Sequence, residues 1–271
     1  MTPPASLEDK REGSRDRDMA SLTPGGLGRR ALLSALLGLC GAGLARPGWA
    51  AKPGAFFEYT VFTKGRLPPE AYADRVIVAL HGFLSVMPNS NFYQLSDAFG
   101  DDGITVAGFN YDYLDVAGNV TEFDAFHRDF LAGRQVIVVG TSLGGYWANY
   151  FANRIGADGL ILVNPVPDGG AWAARNVKEH YSKKRDQTVV LTEETVEAYR
   201  ALEAPNNAEV PRLLLVTEDD ERLDHREAVS AFGDLRNTEV VAFHEGGHSL
   251  DLSRPEVMAV IRAFVERRFG P

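Results

Sequence analysis

Seven short apolar runs constrain this chain more than any other feature. They are Phe57 to Phe62, Val76 to Leu80, Ile104 to Phe109, Val136 to Val139, Leu160 to Val163, Leu213 to Val216 and Val240 to Phe243. Most lack polar–apolar alternation and favour β-branched residues, which is how strands covered on both faces read. Segments with helical spacing lie between them: Phe92 to Phe99, Thr121 to Leu131, Leu143 to Arg154, Glu194 to Leu202, Asp224 to Phe232 and Pro255 to Phe269. Strands that alternate with helices predict a doubly wound, mostly parallel α/β sheet. A chain of 271 residues, 45% of them hydrophobic, can bury one such core.

One stretch breaks the alternation. Residues 165–211 are long, polar and poor in strand signal, with one amphipathic helix. An excursion of this length on a sheet predicts a lid or cap.

The run Val136 to Val139 leads straight into Gly140-Thr141-Ser142-Leu143-Gly144-Gly145, and a helical pattern follows at Tyr146-Trp147-Ala148. A serine between a buried strand and a helix, with glycine two residues to either side, is the arrangement of a nucleophile elbow. The tight turn lifts the hydroxyl off the sheet edge. Glycines are needed where a side chain would strike the neighbouring strand or helix. Ser142 is therefore the expected nucleophile, and the N–H of Leu143, first in the helix, an expected oxyanion donor. The second donor is expected where Leu80 runs into His81-Gly82-Phe83: Gly82 permits a sharp turn that points the Phe83 amide at Ser142. His81 precedes the serine and is read as holding this loop through a ring hydrogen bond.

In such sites the acid and then the base follow the nucleophile along the chain. After the last apolar run comes His244-Glu245-Gly246-Gly247-His248-Ser249, in which His248, on a glycine-rich loop, is preferred to His244 as the base. The preceding run opens onto Thr217-Glu218-Asp219-Asp220-Glu221-Arg222-Leu223-Asp224. One carboxylate here must accept from the His248 ring to fix its tautomer. Asp220 is chosen, with Asp219 as the alternative. Asp224 is expected to cap the next helix, and the remaining carboxylates are expected to be solvated.

Three stretches resemble the α/β-hydrolase superfamily and, within it, small bacterial esterases of the YqiA type. They are Leu80-His81-Gly82-Phe83, then Gly140 to Ala148 with Val163-Asn164-Pro165, and Asp220-Glu221-Arg222-Leu223-Asp224-His225-Arg226-Glu227-Ala228-Val229 with Glu245-Gly246-Gly247-His248. The resemblance implies the α/β-hydrolase fold over residues 57–270, places the triad acid on Asp220, and implies action on short acyl esters. The lead reading is thus a serine hydrolase of carboxylic esters working through an acyl-enzyme. A thioesterase or peptidase would use the same triad, and a catalytically inactive hydrolase fold used for binding is the alternative of another class. No cofactor or metal is called for. Phe83, Leu84, Tyr111, Tyr113, Trp147 and Trp172 are candidates for an apolar acyl site, with Asn89-Ser90-Asn91 and Asp112-Tyr113 near its mouth.

Composition narrows the partners and the compartment. A formal net charge of −9 repels phosphate backbones, so a small ester or acyl compound rather than nucleic acid is the expected partner. Residues 1–50 read as an export leader. Arg29-Arg30 precede an uncharged apolar run, Ala31 to Leu44, too short and mild for a bilayer span, and Trp49-Ala50-Ala51 offers a cleavage point after Ala50. The paired arginines resemble a twin-arginine signal, with a general secretory signal as the alternative. The mature domain, residues 51–271, is expected to be periplasmic or secreted, without stable membrane association. The single cysteine, Cys40, lies in that leader, which removes a cysteine nucleophile, a cysteine metal site and an internal disulfide from the mature chain.

Overall fold

The computed structural model describes residues 59–62, 73–202 and 209–270. The expected leader at 1–50 lies outside the described residues. The strands are β1 (Tyr59–Phe62), β2 (Arg75–Leu80), β3 (Thr105–Phe109), β4 (Gln135–Thr141), β5 (Gly159–Val163), β6 (Glu179–Ser182), β7 (Gln187–Val190), β8 (Arg212–Thr217) and β9 (Thr238–Phe243). The helices are α1 (Ser90–Phe99), α2 (Val116–Phe126), α3 (Leu143–Ile155), α4 (Gly169–Arg175), α5 (Glu193–Ala201), α6 (His225–Phe232) and α7 (Pro255–Phe269). A short 3₁₀ turn follows α1, and a π turn at His127–Leu131 extends α2.

Seven strands form one sheet in the order β1-β3-β2-β4-β5-β8-β9. Only β1 runs antiparallel, against β3; the other pairings in this sheet are parallel. The expected doubly wound, mostly parallel sheet is what forms. Its strands alternate between two cores. Val76, Val78, Val138, Leu160, Leu162 and Leu214 face one layer, where Phe123 of α2, Trp147 and Phe151 of α3 and Val196 of α5 cover them. Ile77, Ile137, Val139, Ile161, Val163 and Leu215 face the other, against Phe92 and Leu95 of α1 and Val257, Ile261 and Phe264 of α7. Covering both faces is why these strands read as unbroken apolar runs.

The last strand departs from that reading. β9 lies at the sheet edge, and Val240 is 39% exposed. Its apolar run reflects strand propensity on a half-covered edge rather than double burial.

The segment between β5 and β8 forms an insertion, and more of it is ordered by hydrogen bonds than the sequence suggested. Besides α5, the amphipathic helix that was expected, it holds α4 and an antiparallel hairpin of β6 and β7. Asp168 caps α4 by accepting from the Ala171 N–H. Thr192 and Thr195 form a capping box at α5.

Parallel neighbours bring their carboxyl ends to one edge of the sheet. Leu80 of β2 is level with Gly140 of β4, and Thr141 of β4 with Val163 of β5. The loops after β2, β4, β8 and β9 therefore emerge on one side, where sheets of this kind build their sites.

Candidate active site

Ser142 links β4 to α3 with φ 56° and ψ −126°, a left-handed backbone that a non-glycine residue adopts only when its surroundings force it. The forcing contacts are specific. The Ser142 N–H donates to Val163 O at 3.0 Å, and Ser142 O accepts from Gly145 N at 2.8 Å and Val166 N at 2.9 Å. A Cβ on Gly140 would strike Gly144 O and Ala148, one on Gly144 would strike His81 O, and one on Gly145 would strike Pro165. Crowding, not flexibility, is the reason for glycine at these three places.

His248 meets the serine. Its Nε2 lies 2.9 Å from Ser142 Oγ, and its Nδ1 lies 3.0 and 2.9 Å from the two carboxylate oxygens of Asp220. A carboxylate can only accept, so Nδ1 carries the hydrogen and Nε2 presents a lone pair to the Ser142 hydroxyl. The His248 and Asp220 side chains are 8% and 2% exposed. Burial disfavours the Asp220 charge, but the His248 hydrogen bond and the Arg222 and Leu223 amides, at 2.8 and 3.0 Å, outweigh it and hold the carboxyl below its usual range. The structure thus brings Ser142, His248 and Asp220 into one hydrogen-bonded line. His244, the other candidate base, points away, 88% exposed and ion-paired with Glu218 at 2.6 Å.

The neighbouring carboxylates are exposed, as expected, but two of them also brace the histidine loop, which the sequence did not suggest. Asp219 accepts from Gly246 N at 3.2 Å and Gly247 N at 2.8 Å, and Glu221 accepts from His248 N at 2.9 Å. Asp224 does cap α6 as expected, accepting from Arg226 N. Two further supports went unread. The Asn164 carboxamide donates to Gly247 O and His248 O at 3.0 and 3.2 Å, and Thr217 Oγ1 donates to Gly247 O at 2.8 Å. Asn164 sits at positive φ just after β5, and its place in Val163-Asn164-Pro165 was the available signal.

The loop after β2 approaches from the other side. Gly82 packs against Ser142, since a Cβ there would lie 3.2 Å from Ser142 Cβ. Phe83 follows Gly82 and lines the cleft over Ser142. Leu143 is the first residue of α3, so its N–H has no acceptor within the helix. His81 is fully buried, stacked on Tyr111 with ring centroids 4.5 Å apart. Its Nδ1 donates to Gly82 O at 2.8 Å, the loop-holding bond expected of it. Burial first, and Arg185 nearby, lower its pKa to about 3 against the favourable Gly82 bond, so the ring is neutral.

A cleft of about 1110 Å³ opens over Ser142 and His248. Phe83, Leu84 and Trp172 give it an apolar wall, and Asn89, Ser90 and Asn91 a polar one. Tyr111, Tyr113 and Trp147, the other candidates for an acyl site, are core, at most 1% exposed. Their aromatic bulk fills the space beneath the insertion. Among the described residues no group of three His, Cys, Asp or Glu side chains is placed to hold a metal ion.

A family model described as an uncharacterised protein family, UPF0227, matches residues 76–265. No curated protein matches this chain. Among solved structures, Est1E from Butyrivibrio proteoclasticus superposes with a TM-score of 0.63 at 13% identity, over 80% of this chain and 96% of that one. The esterase domain of a Rhodothermus marinus protein gives 0.58 at 16% identity, over 79% and 99%. A monoacylglycerol lipase from Paleococcus ferrophilus gives 0.57 at 15%, over 78% and 97%. At these identities the likeness establishes the fold, which is that of the α/β-hydrolases.

Proposed function

We propose that this chain, which belongs to the uncharacterised protein family UPF0227, is a serine hydrolase of carboxylic esters. The reading rests on one observation, the unbroken relay from Ser142 Oγ through the His248 ring to the Asp220 carboxylate. In the reaction His248 Nε2 takes the Ser142 proton as the oxygen attacks the ester carbonyl. Asp220 keeps the ring in the required tautomer and offsets the charge of the imidazolium that forms. The N–H groups of Phe83 and Leu143 donate to the oxyanion, and the positive end of α3 adds to them. The imidazolium then returns its proton to the departing alkoxide, leaving an acyl group on Ser142. A water, deprotonated by the same ring, releases the acid and restores the enzyme.

An ester is favoured over other acyl compounds because proteins of similar fold include one described as an esterase domain and one described as a monoacylglycerol lipase. The open cleft, apolar on the Phe83, Leu84 and Trp172 wall, suits a short or aromatic acyl group. The test is hydrolysis of a short aryl ester by wild type and Ser142→Ala. Turnover by the variant should fall by at least about 10³-fold, since loss of a triad serine elsewhere costs far more than that, while circular dichroism and the melting midpoint stay near wild type. Wild-type turnover by a folded Ser142→Ala protein would reject the assignment.

A further inference from the structure

The insertion between β5 and β8 touches the loop after β2 at several points, all against His81-Gly82-Phe83-Leu84-Ser85. Arg185 comes from the turn of the β6–β7 hairpin. Its Nε donates to Ser85 O at 3.3 Å, and its Nη2 donates to His81 Nε2 at 3.3 Å and to Tyr111 O at 3.4 Å. Its guanidinium lies over the Tyr113 ring, 4.6 Å from the centroid. The fully buried Ser182, at the end of β6, donates through Oγ to Leu84 O at 2.9 Å. The Phe83 ring packs edge-on against Trp172 of α4 and His180 of β6, at 5.0 and 4.9 Å.

The loop needs such bracing. Leu84 has φ 61°, a left-handed backbone unfavourable for a leucine, within a turn closed by Ser85 N to Gly82 O at 3.2 Å. The Tyr113 hydroxyl donates to Ser85 O and the Tyr111 hydroxyl to His81 O, both at 2.7 Å, so the turn is held from the β3 side as well as from the insertion, and loosening either side would shift the Phe83 N–H. The His81 tautomer fits the same arrangement. With the Nδ1 hydrogen spent on Gly82 O, Nε2 is a lone-pair acceptor, and a guanidinium, which is always a donor, is the complement.

We infer that Arg185 is a positioning residue for the oxyanion donor at Phe83, clamping the strained loop through His81 and Ser85, with Ser182 as its partner at Leu84. The residue does not line the cleft; it acts through the loop. Arginine is required because one rigid fork reaches acceptors in different directions, which a lysine ammonium cannot do at once. The insertion is then a fixed strap behind the catalytic loop at this point. This role rests on the serine-hydrolase reading.

Arg185→Lys and Ser182→Ala test it, with kcat and KM for a short aryl ester and the inhibition constant of phenylboronic acid, whose serine adduct places an oxygen at the oxyanion position. Loss of one oxyanion donor lowers kcat by roughly 10²–10³-fold, so misaiming one by Arg185→Lys should lower kcat by about 10–100-fold. KM should stay within about twofold, and phenylboronic acid should weaken in step with kcat. Ser182→Ala should show the same pattern at smaller size, and it decides the question if Arg185→Lys does not fold. A merely structural loss would lower the amount of active enzyme without weakening boronate binding to what remains, and that outcome overturns the role. So does wild-type kcat in either folded variant. A wild type inert towards both the ester and a fluorophosphonate would instead overturn the hydrolase reading itself, and this role with it.

Discussion

Four consecutive carboxylates, Glu218 to Glu221, each make a different bond, and only one of them meets the His248 ring. At the residue scale this is where the sequence ran out. Acidic residues crowded between Thr217 and Asp224 are alike in type, so position along the chain and a resemblance selected Asp220, and nothing marked Asp219 and Glu221 as braces of the histidine loop. Their partners are backbone amides, which leave no trace in a sequence. Thr217 was missed for the same reason, and Asn164 was marked only by its place in Val163-Asn164-Pro165. Ser142, His248 and Gly82 were legible because sterics and chain order restrict them. His81 offers a prediction at this scale. Its folded pKa, lowered to about 3, lies below the ordinary 6.5. Above pH 6.5 both the folded and unfolded ring are neutral, and the contribution to stability is complete. As pH falls from 6.5 towards 3 the unfolded ring binds a proton that the folded ring refuses, and stability is lost. The stability difference between wild type and His81→Gln, from denaturant titrations, should therefore shrink by about 2 kcal/mol between pH 7 and pH 5. A difference that stays constant over that range would show that His81 is not held neutral.

At the scale of elements, the strand–turn–helix of β4, Ser142 and α3 was readable in full, because close approach of the turn to β2, to α3's first turn and to Pro165 leaves room for glycine alone. The insertion was readable only in part. α5 shows an apolar stripe, with Val196 and Tyr199 buried, and begins at a capping box. The hairpin strands Glu179-His180-Tyr181-Ser182 and Gln187-Thr188-Val189-Val190 are short and mostly exposed, so no apolar run announces them. α4 has seven residues and opens on two glycines, which hides it from propensity. α2 starts at Val116, before the segment read as helical at Thr121, capped by Asp115, and Asn119 within its first turns spends its side chain on Asp112. The elbow gives a paired prediction. Gly140→Ala places a methyl against Gly144 O and the Ala148 side chain and should destabilise the protein by about 3 kcal/mol, the upper end of ordinary overpacking. Gly156→Ala, at the end of α3, has open space but φ 62°, and should cost only about 1–2 kcal/mol for the left-handed backbone. Equal losses in thermal or denaturant unfolding would remove the steric explanation of the elbow.

For the whole molecule, the doubly wound sheet came through because both of its faces are covered and its central strands had to be apolar throughout; the edge strand β9 was read as a strand although it is less fully covered. The same economy explains how folds at 13–16% identity superpose over most of their length. The constraint lies in burial pattern and in a few turns rather than in side-chain identity. All the loops that form the site leave one sheet edge, so residues more than a hundred positions apart, Ser142 and His248, meet at 2.9 Å. The central claim is that this meeting makes Ser142 a nucleophile. It is tested most directly by reacting the folded protein with a fluorophosphonate and mapping the adduct by mass spectrometry. A single adduct on Ser142, abolished by prior heat denaturation and greatly slowed in His248→Ala, is the predicted result. An unmodified Ser142 in folded protein, or labelling as fast in His248→Ala as in wild type, would contradict it.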